Sequence, residues 1–516
     1  MNGAESLMQT LVDSGINVCF TNPGTSEMHC VAALDRITGI RGILGLFEGA
    51  VTGMADGYAR MAGKPAFTLL HLGPGLSNAS ANIHNAKRAG TPMINIVGDH
   101  ATYHLQYDAP LASDIAGLAK PVSHWLHSTT TAKELATDTA RAVAASMTYP
   151  GQIATLIVPA DCAWDEADGP AKPIAPPVTP RTDQSVITAA AKMLKNCKKT
   201  MLLMRGPVLM KRGTTAAGRI AAVSDARLAC DTFISRIERG AGCVTIEKMP
   251  YFAEDMVEFL KGTEQLILVG TKPPVSFFAY PGKPSWLTPE GCETLVLATA
   301  QQDGVYALEA LASELNAPVH PIRVQQLSRP ALPTGPQFNA HTIGAALGAL
   351  MPENAIVSDE AATSGFACYA PTAGIAPVDW LGLTGGSIGQ GIPLAVGAAV
   401  ACPDRKVVCL SGDGGGMYTV QALWTMAREK LDIVTVIFSN RKYLILQVEL
   451  ARVGAGTNPG RRALDLLDLS NPDLNWVQMA NGMGVAASRA TNQEEFNRQF
   501  AAACATKGPH LIEAVI

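Results

Sequence analysis

Short apolar runs alternate with helical stretches along most of this chain. The runs Val407 to Leu410 and Ile433 to Phe438 are predicted to be buried strands, and Thr419 to Glu429 between them has helical periodicity. Apolar runs at 200–204 and 265–269 repeat the pattern in the middle of the chain. Such alternation is typical of parallel α/β sheets. We therefore predict the α/β fold class, built from open parallel sheets.

Two proline-rich segments divide the chain. Residues 168–183 read DGPAKPIAPPVTPRTD, and a second joint lies at 327–337. Proline-rich segments are extended and semi-rigid, which suits linkers. A chain of 516 residues also exceeds what one hydrophobic core organises. We expect three open parallel-sheet domains, at 1–167, 184–326 and 338–516.

Composition excludes several classes of protein. A net charge of -4 and 16% charged residues leave no basic face for nucleic acid, so a small, acidic substrate is favoured. The longest apolar run, Gly391 to Cys402, is too short to span a membrane. Eleven cysteines without CxxC spacing, and an N-terminus unlike a signal peptide, favour the cytoplasm. His100 and His104 alone do not indicate zinc.

The segment from Ser411 to Gln447 is the most informative for chemistry. A glycine-rich turn, Gly412 to Gly416, carries Asp413 after one predicted strand, and Asn440 follows the next. The two strand ends share one edge of a parallel sheet. Carboxylate and amide oxygens suit Mg²⁺ or Ca²⁺, which also takes phosphate oxygens. Alternatives are a plain helix cap by Asp413 and a dinucleotide turn, which would need glycine at Met417.

This order of GDG turn, helix, strand and asparagine resembles the diphosphate motif of thiamine diphosphate (ThDP) enzymes. The group in question contains acetolactate synthase, pyruvate oxidase and benzoylformate decarboxylase. The resemblance implies that Asp413, Asn440 and the carbonyl of Lys442 hold the metal. The sequence has Ser439 where the common motif has a first asparagine.

The resemblance also requires an N-terminal glutamate, which Glu48 supplies. An apolar strand, Ile43 to Phe47, is predicted to run into Glu48, and Gly49 to Ala59 to form a closely packed helix. A buried carboxylate needs a partner or a proton. In the family this glutamate contacts the aminopyrimidine ring and activates the cofactor. The alternative is a first-turn acid that only stabilises its helix.

Further segments match the family in the required order: TNPGTSEMH, VSDEAATSG and LTGGSIGQG. The resemblance implies that Thr25 faces the substrate, that the Gly386 carbonyl holds the pyrimidine amine, and that Ile388 separates the two rings. The implied cofactor-binding residues are Asn22, Pro23, Gly24, Glu48, Thr363, Ser364, Gly386, Ile388, Asp413, Gly414, Gly415, Asn440, Lys442 and Tyr443.

His71 matches the position of a catalytic histidine of benzoylformate decarboxylase, and it could relay a proton or hold a carboxylate. The alternative is a histidine that only caps a strand end. The second histidine of that enzyme is replaced by Phe277 or Phe278, so the substrate does not follow by analogy. Catalytic roles are expected for Glu48, His71 and Thr25. Candidates for the substrate pocket are Thr25, His71, Gln106, Phe277, Tyr443, Leu444 and Leu446.

The resemblance implies a ThDP- and magnesium-dependent lyase or transferase. We expect non-oxidative decarboxylation of a 2-oxo acid, with release of an aldehyde or carboligation to a hydroxyketone. Alternatives are an acetolactate synthase large subunit, or a 2-hydroxyacyl-CoA or oxalyl-CoA lyase, which would bind FAD or an ADP group. The segment GTKPPVSFFAYPG lacks the flavin-type string, so no FAD is expected. A binding or regulatory protein without activity is disfavoured by Glu48, Asp413 and Asn440.

The family also implies an assembly. Its cofactors are clamped between the N-terminal domain of one chain and the C-terminal domain of another. We therefore expect a homodimer, or a dimer of dimers that makes a homotetramer, with the active sites at the subunit interface.

Overall fold

The computed structural model describes residues 1–321, 323–456 and 458–516, which form an α/β fold of three sheets. The strands are β1 Val18–Thr21, β2 Arg41–Leu44, β3 Phe67–Leu70, β4 Met93–Asp99, β5 Trp125–Ser128, β6 Ile153–Pro159, β7 Thr200–Met204, β8 Arg227–Cys230, β9 Arg236–Arg239, β10 Glu247–Lys248, β11 Gln265–Val269, β12 Glu293–Ala298, β13 Ile356–Glu360, β14 Val378–Gly382, β15 Val407–Gly412, β16 Ile433–Ser439, β17 Ala486–Ala490 and β18 His510–Val515.

Helices connect these strands on both faces of the sheets. They are α1 Gly3–Asp13, α2 Met28–Arg36, α3 Glu48–Ala62, α4 Leu72–Ala89, α5 Ile115–Ala119, α6 Ala132–Ser146, α7 Ala160–Trp164, α8 Gln184–Leu194, α9 Lys211–Ser224, α10 Ala253–Leu260, α11 Gly304–Glu314, α12 Ala340–Leu350, α13 Ala362–Tyr369, α14 Gly391–Ala401, α15 Asp413–Gly416, α16 Ala422–Arg428, α17 Leu444–Arg452, α18 Arg461–Asp465, α19 Trp476–Gly482 and α20 Gln493–Ala505. None of those formed by the described residues is long and apolar enough to cross a membrane.

The N-terminal and central sheets are parallel throughout. The first has the strand order β2-β1-β3-β4-β6-β5, and the second has the order β10-β8-β7-β11-β12. Their central strands are buried, β7 along its whole length and β4 up to its last residue, Asp99, because helices cover both faces. The predicted α/β class is confirmed.

The C-terminal sheet departs from the predicted all-parallel form. Its order is β17-β18-β16-β15-β13-β14-β9, and the edge strand β9 runs antiparallel to β14. This strand, Arg236–Arg239, comes from the middle of the chain and carries polar letters. Its Arg236 donates from Nε to Asp379 Oδ1 at 2.6 Å, and Ile237 lies buried opposite Trp380. Backbone pairing with β14, one ion pair and one apolar contact therefore hold a strand that lacks an apolar run.

Helix α3 packs against α14, which joins the N-terminal and C-terminal sheets. α14 is apolar on all sides because it is buried on all sides. The contact depends on glycines: a Cβ on Gly57 would lie 2.0 Å from the Leu394 carbonyl oxygen, and one on Gly397 would lie 1.9 Å from the Met54 carbonyl oxygen. The two backbones can approach this closely only without side chains.

Several predicted element boundaries were wrong. The strand expected at Ile43 to Phe47 ends at Leu44, and Glu48 is instead the first residue of α3. The helix expected at Thr419 to Glu429 is a short 3-10 turn at Met417–Thr419 followed by α16. Residues 168–183 and 327–337 contain neither helix nor strand. The domain limits placed there stay a prediction.

Candidate cofactor and active site

Asp413 lies at the carboxyl edge of the C-terminal sheet, beside the loop that follows β16. β15 and β16 are parallel neighbours with Gly412 opposite Phe438. Asp413 is buried, and its Oδ1 accepts the Gly414 N–H at 2.9 Å while its Oδ2 accepts the Arg441 N–H at 2.6 Å. The structure thus brings the glycine turn and the asparagine loop together.

Asn440 and Tyr443 complete this edge. The Lys442 N–H donates to Asn440 Oδ1 at 3.1 Å, which folds the loop back on itself. The ring of Tyr443 lies against the turn, since a Cβ on Gly414 would come within 2.3 Å of its Cε1. Glycine at 414 is therefore required by close packing. Gly415 next to it is less crowded, since a Cβ there would lie at ordinary contact distance, 3.7 Å from Glu360 Oε1 and 3.9 Å from Ile388 Cβ.

Glu48 lies at the corresponding edge of the N-terminal sheet. It begins α3 and is 7% exposed. Asn78 on α4 donates from Nδ2 to Glu48 Oε2 at 3.0 Å. A Cβ on Gly75 would lie 3.3 Å from the other oxygen, Oε1, so the glycine keeps space beside it. The two helices α3 and α4 thus begin side by side, with a carboxylate between them.

His71 precedes α4 and faces a buried carboxylate that sequence reasoning missed. Its Nδ1 lies 3.0 Å from Glu27 Oε2 and 3.2 Å from Ser26 Oγ. Glu27 is 1% exposed; its Oε2 also accepts the Gly24 N–H at 2.8 Å and its Oε1 accepts from Ser26 Oγ. A carboxylate on Nδ1 orients the ring and leaves Nε2 for a substrate. The only sequence signal for Glu27 is its position three residues after the TNPG segment.

The segment before Glu27 has the close backbone approach expected of it. A Cβ on Gly24 would lie 2.1 Å from His71 Nδ1, so only glycine fits there. Thr25 begins a 3-10 turn, Thr25–Glu27, and is exposed, while Asn22 and Pro23 are half-buried.

Gly386 and Ile388 lie in the loop between β14 and α14. Gly386 has φ 80°, a left-handed conformation that favours glycine. Asn82 on α4 donates to the Gly389 carbonyl at 3.3 Å and to the Gly49 carbonyl at 2.7 Å. The loop of Ile388 is therefore tied to the helix that begins with Glu48.

Two stretches of the chain match one enzyme family. Residues 1–135 match the N-terminal TPP binding domain of thiamine pyrophosphate enzymes, and residues 368–514 match their C-terminal TPP binding domain. IlvX of Mycobacterium tuberculosis, named provisionally as an acetolactate synthase large subunit, is 52% identical over 100% of this chain and 99% of its own. The chain belongs to the thiamine pyrophosphate enzyme family.

Other relatives carry the names of decarboxylases. Benzoylformate decarboxylase of Pseudomonas aeruginosa is 27% identical over 97% of this chain and 96% of its own. The solved structure of the ThDP-dependent 4-hydroxybenzoylformate decarboxylase of Rhodococcus jostii RHA1 has a TM-score of 0.87 at 24% identity, covering 100% of this chain and 99% of that one. That likeness concerns the fold.

The residues around Asp413 fit the cofactor of this family. Burial raises the pKa of Asp413, although the N–H groups of Arg441 and Gly414 act in the opposite direction. A buried carboxylate of this kind favours a bound cation. Among the described residues, no group of three or more His, Cys, Asp or Glu is placed to hold a metal. A cation bound by Asp413 would therefore need oxygens from other sources, such as an amide side chain, a backbone carbonyl or a diphosphate.

The other expected cofactor contacts lie on α13. Thr363 and Ser364 are in its first turn, directly after β13, where helix N–H groups lack intrahelical acceptors. Ser364 is buried and Thr363 is half-buried. Both are near the carboxyl edge that carries Asp413, because β13 and β15 are paired.

Apart from Thr25, His71 and Tyr443, the candidate substrate residues come from three separate segments. Phe277 and Phe278 are half-exposed, and the Phe277 ring centroid lies 5.1 Å from Tyr251 and 5.2 Å from Phe233. Leu444 and Leu446 are on α17. Gln106 lies in an exposed 3-10 turn and donates to the Tyr103 carbonyl at 2.9 Å. The rings of Phe233, Tyr251 and Phe277 therefore form an aromatic cluster, and its place in a substrate pocket stays a prediction.

α17 is joined to the central part of the chain by a contact that the sequence did not indicate. Tyr280 Oη donates to Glu449 Oε2 at 2.9 Å, and Glu449 is buried. The charge of Glu449 also helps burial to raise the pKa of Tyr251 to about 12. The helix that follows Tyr443 is therefore held against the loop of Phe277.

Proposed function

We propose that the protein is a ThDP- and Mg²⁺-dependent lyase that removes CO₂ from a small 2-oxo acid without oxidation. The product is an aldehyde, or a hydroxyketone when a second carbonyl compound is joined. The observation that carries this proposal is the position of Glu48, buried at the start of α3 and contacted through Oε2 by Asn78. The decarboxylase names of full-length relatives support it.

The C-terminal edge would hold the cofactor. Asp413, the side-chain oxygen of Asn440 and the carbonyl of Lys442 are the proposed ligands of Mg²⁺, or of Ca²⁺. Thr363, Ser364 and the turn at Gly414 and Gly415 would contact the diphosphate. Hydroxyl and N–H donors at a helix start suit that group.

The N-terminal edge would handle protons. ThDP, when bound, supplies the carbon that attacks the 2-oxo group and accepts the electron pair left by CO₂. Glu48 would exchange a proton with the aminopyrimidine ring, and Gly386 and Ile388 would fix that ring. His71, oriented by Glu27, would hold the substrate carboxylate or deliver a proton to carbon, since imidazole changes charge near neutral pH. Thr25 is exposed nearby.

A second candidate is an acetolactate synthase large subunit, or a related acyl-CoA lyase. The names of the 52% identical relative and of an Escherichia coli relative, which is 24% identical over 100% of this chain, favour it. This candidate predicts bound FAD or an ADP group. A yellow protein on purification, or acetolactate as the main product from pyruvate, would support it over the first.

We propose that the active protein is a homodimer or a dimer of dimers, with its sites shared between subunits, in the cytoplasm. Leu46, two residues before Glu48, is 45% exposed, and Met28, next to Glu27, is also 45% exposed. A second subunit packed against this edge would cover these two apolar side chains.

The test is a panel of 2-oxo acids with ThDP and Mg²⁺, in which CO₂, aldehydes and hydroxyketones are all quantified. We expect CO₂ release from at least one acid, and its loss in Glu48→Gln. Absence of CO₂ from the whole panel, or full activity of Glu48→Gln, would rule the proposal out.

A further inference from the structure

Glu360 is a buried carboxylate under the loop between β14 and α14, and the assignments above do not use it. It is the last residue of β13 and is 4% exposed. Its Oε1 accepts the N–H groups of Gly389 and, at 3.2 Å, of Gln390; its Oε2 accepts the N–H of Gly391 at 2.6 Å. Three consecutive backbone donors thus converge on one side chain.

This arrangement caps α14. Gly391 is the first residue of that helix, and the first N–H groups of a helix have no intrahelical acceptor. The positive end of the helix dipole also favours a negative charge. An ionised carboxylate only accepts hydrogen bonds. A protonated acid or a glutamine would instead place an O–H or NH₂ donor opposite these backbone N–H groups. The geometry therefore fits the ionised form of Glu360.

The N-terminal part of the chain holds the same loop from the other side. Asn85 donates to the Ser387 carbonyl at 2.8 Å and accepts the Ser387 N–H at 3.2 Å. Gln390 donates from Nε2 to Asp56 Oδ2 at 2.6 Å. Ile388 lies between these two anchors, and Gly386 lies directly before Ser387. Glu360 therefore fixes the end of the loop that is next to Ile388.

We propose that Glu360 is a positioning residue for the cofactor: by holding the N–H groups of Gly389, Gln390 and Gly391, it sets the backbone of the loop that carries Gly386 and Ile388. The inference rests on the proposed role of those two residues at ThDP. The hydrogen bonds of Glu360 are all to the backbone of this loop, and its Oε1 also faces the glycine turn, since a Cβ on Gly415 would lie 3.7 Å from it.

The charge state of Glu360 gives this role a pH dependence. The pKa of Glu360 is raised to about 7: burial is the main cause and the nearby charge of Asp359 adds to it, against the three N–H groups, which act to lower it. The other titratable groups facing it are Cys409 on β15 and, beyond Gln390, Asp56, which is paired with Arg60. Protonation of Glu360 removes an acceptor from the loop. We expect ThDP affinity to fall as the pH drops through about 7.

The experiment is calorimetric titration of ThDP at saturating Mg²⁺, at about pH 6 and about pH 8, on either side of the raised pKa. Wild type should bind at least about threefold more tightly at the higher pH, and Glu360→Gln should bind about tenfold or more weakly at that pH, with little pH dependence, because hydrogen bonds to a charged group are lost. Asp138→Asn is the matched control: Asp138 is a buried acid on α6, paired with His127 and Arg141. It should retain the wild-type affinity and pH dependence.

A purely structural cap would lower the melting temperature without changing ThDP affinity or its pH dependence, and that result would overturn the inference. Wild type that binds no ThDP would instead refute the proposed function. Hydrogen exchange tests the wild-type chain without ThDP, so it does not depend on the variant folding. The amides of residues 389–391 should be less protected below about pH 7 after correction for intrinsic rates. Equal protection at both pH values would also overturn the inference.

Discussion

The two halves of the candidate site are built alike but hold their carboxylates differently. Glu48 and Asp413 each begin a helix at the carboxyl edge of a sheet, and both are buried. Glu48 receives a hydrogen bond from one side chain, Asn78, whereas Asp413 receives two from backbone N–H groups. A side-chain donor can move with a proton, while backbone donors stay where the fold puts them. The first arrangement suits proton exchange and the second suits a fixed cation.

Glu48→Gln should have the largest effect on activity. The substitution keeps the shape and the contact with Asn78 but removes the ionisable group, so the rate of CO₂ release should fall by about 10² to 10⁴. The melting temperature should change little. Glu134→Gln, in the first turn of α6, is the matched control for a first-turn glutamate. A similar small loss in both variants would reduce Glu48 to a helix-stabilising acid.

Asp413→Asn should act on cofactor retention. We expect the ThDP and Mg²⁺ concentrations needed for half-maximal activity to rise by about 10- to 100-fold, because a charged ligand becomes a neutral one. The control is Asp303→Asn, which removes the charge from the cap of α11, where Asp303 accepts the Tyr306 N–H at 2.9 Å. An unchanged requirement for Mg²⁺ would contradict the assigned role of Asp413.

Asp413→Asn should also change how the free energy of unfolding depends on pH. Because the pKa of Asp413 is raised in the folded chain, that chain binds the proton more tightly than the unfolded chain does. Without ThDP and Mg²⁺, this carboxyl therefore stabilises the fold most below its unfolded pKa of 3.8, and that contribution is lost as the pH rises through the raised value. Denaturant titrations across this pH range should show that the free energy of unfolding falls less steeply with rising pH in Asp413→Asn than in wild type. Equal slopes would mean that Asp413 makes no such contribution.

Glu27→Gln should have an intermediate effect, acting through His71. Loss of a charge-assisted hydrogen bond to the imidazole should lower kcat/KM by about tenfold and shift the pH profile of the reaction. A double-mutant cycle with His71→Asn tests this route. If Glu27 acts only through His71, the double variant should be no slower than His71→Asn alone. Additive losses would give Glu27 a separate role.

The smallest effect is expected for Asn78→Ala. It removes a side-chain donor to Glu48, worth about 1 kcal/mol, so kcat/KM should fall by about three- to tenfold. Ser80→Ala on the same helix is the control, since its hydroxyl donates to the Leu76 carbonyl within the helix. A loss as large as that of Glu48→Gln would show that Asn78 does more than orient the carboxylate.

The positions of residues that directly follow strands could be predicted from the sequence. Parallel strands place such groups at one edge, so the strand pattern alone puts Asp413 beside the loop of Asn440. The strand before Glu48 was placed too long because Gly45 to Phe47 continue the apolar run, although β2 stops at Leu44. The roles assigned to these residues stay predictions.

The supporting contacts could not be predicted from local letters. Glu27 lies 44 positions from His71 in the sequence, and Glu360 lies 29 positions from Gly389, whose N–H it accepts. Asn82 lies 307 positions from Gly389. No spacing rule brings such residues together. The same holds for β9, whose polar sequence RIER has no apolar pattern and is placed by its partner strand β14.

The glycine contact between α3 and α14 has a consequence for engineering. At Gly57 and Gly397 a single added methyl group would overlap backbone atoms of the facing helix, so we expect a substitution there to displace α3, which begins with Glu48, and α14, which follows the Ile388 loop, together. Phe277, Phe278 and Leu446 are half-exposed and free of that constraint. Mutant libraries aimed at new substrates should vary these three side chains and leave the two glycines unchanged.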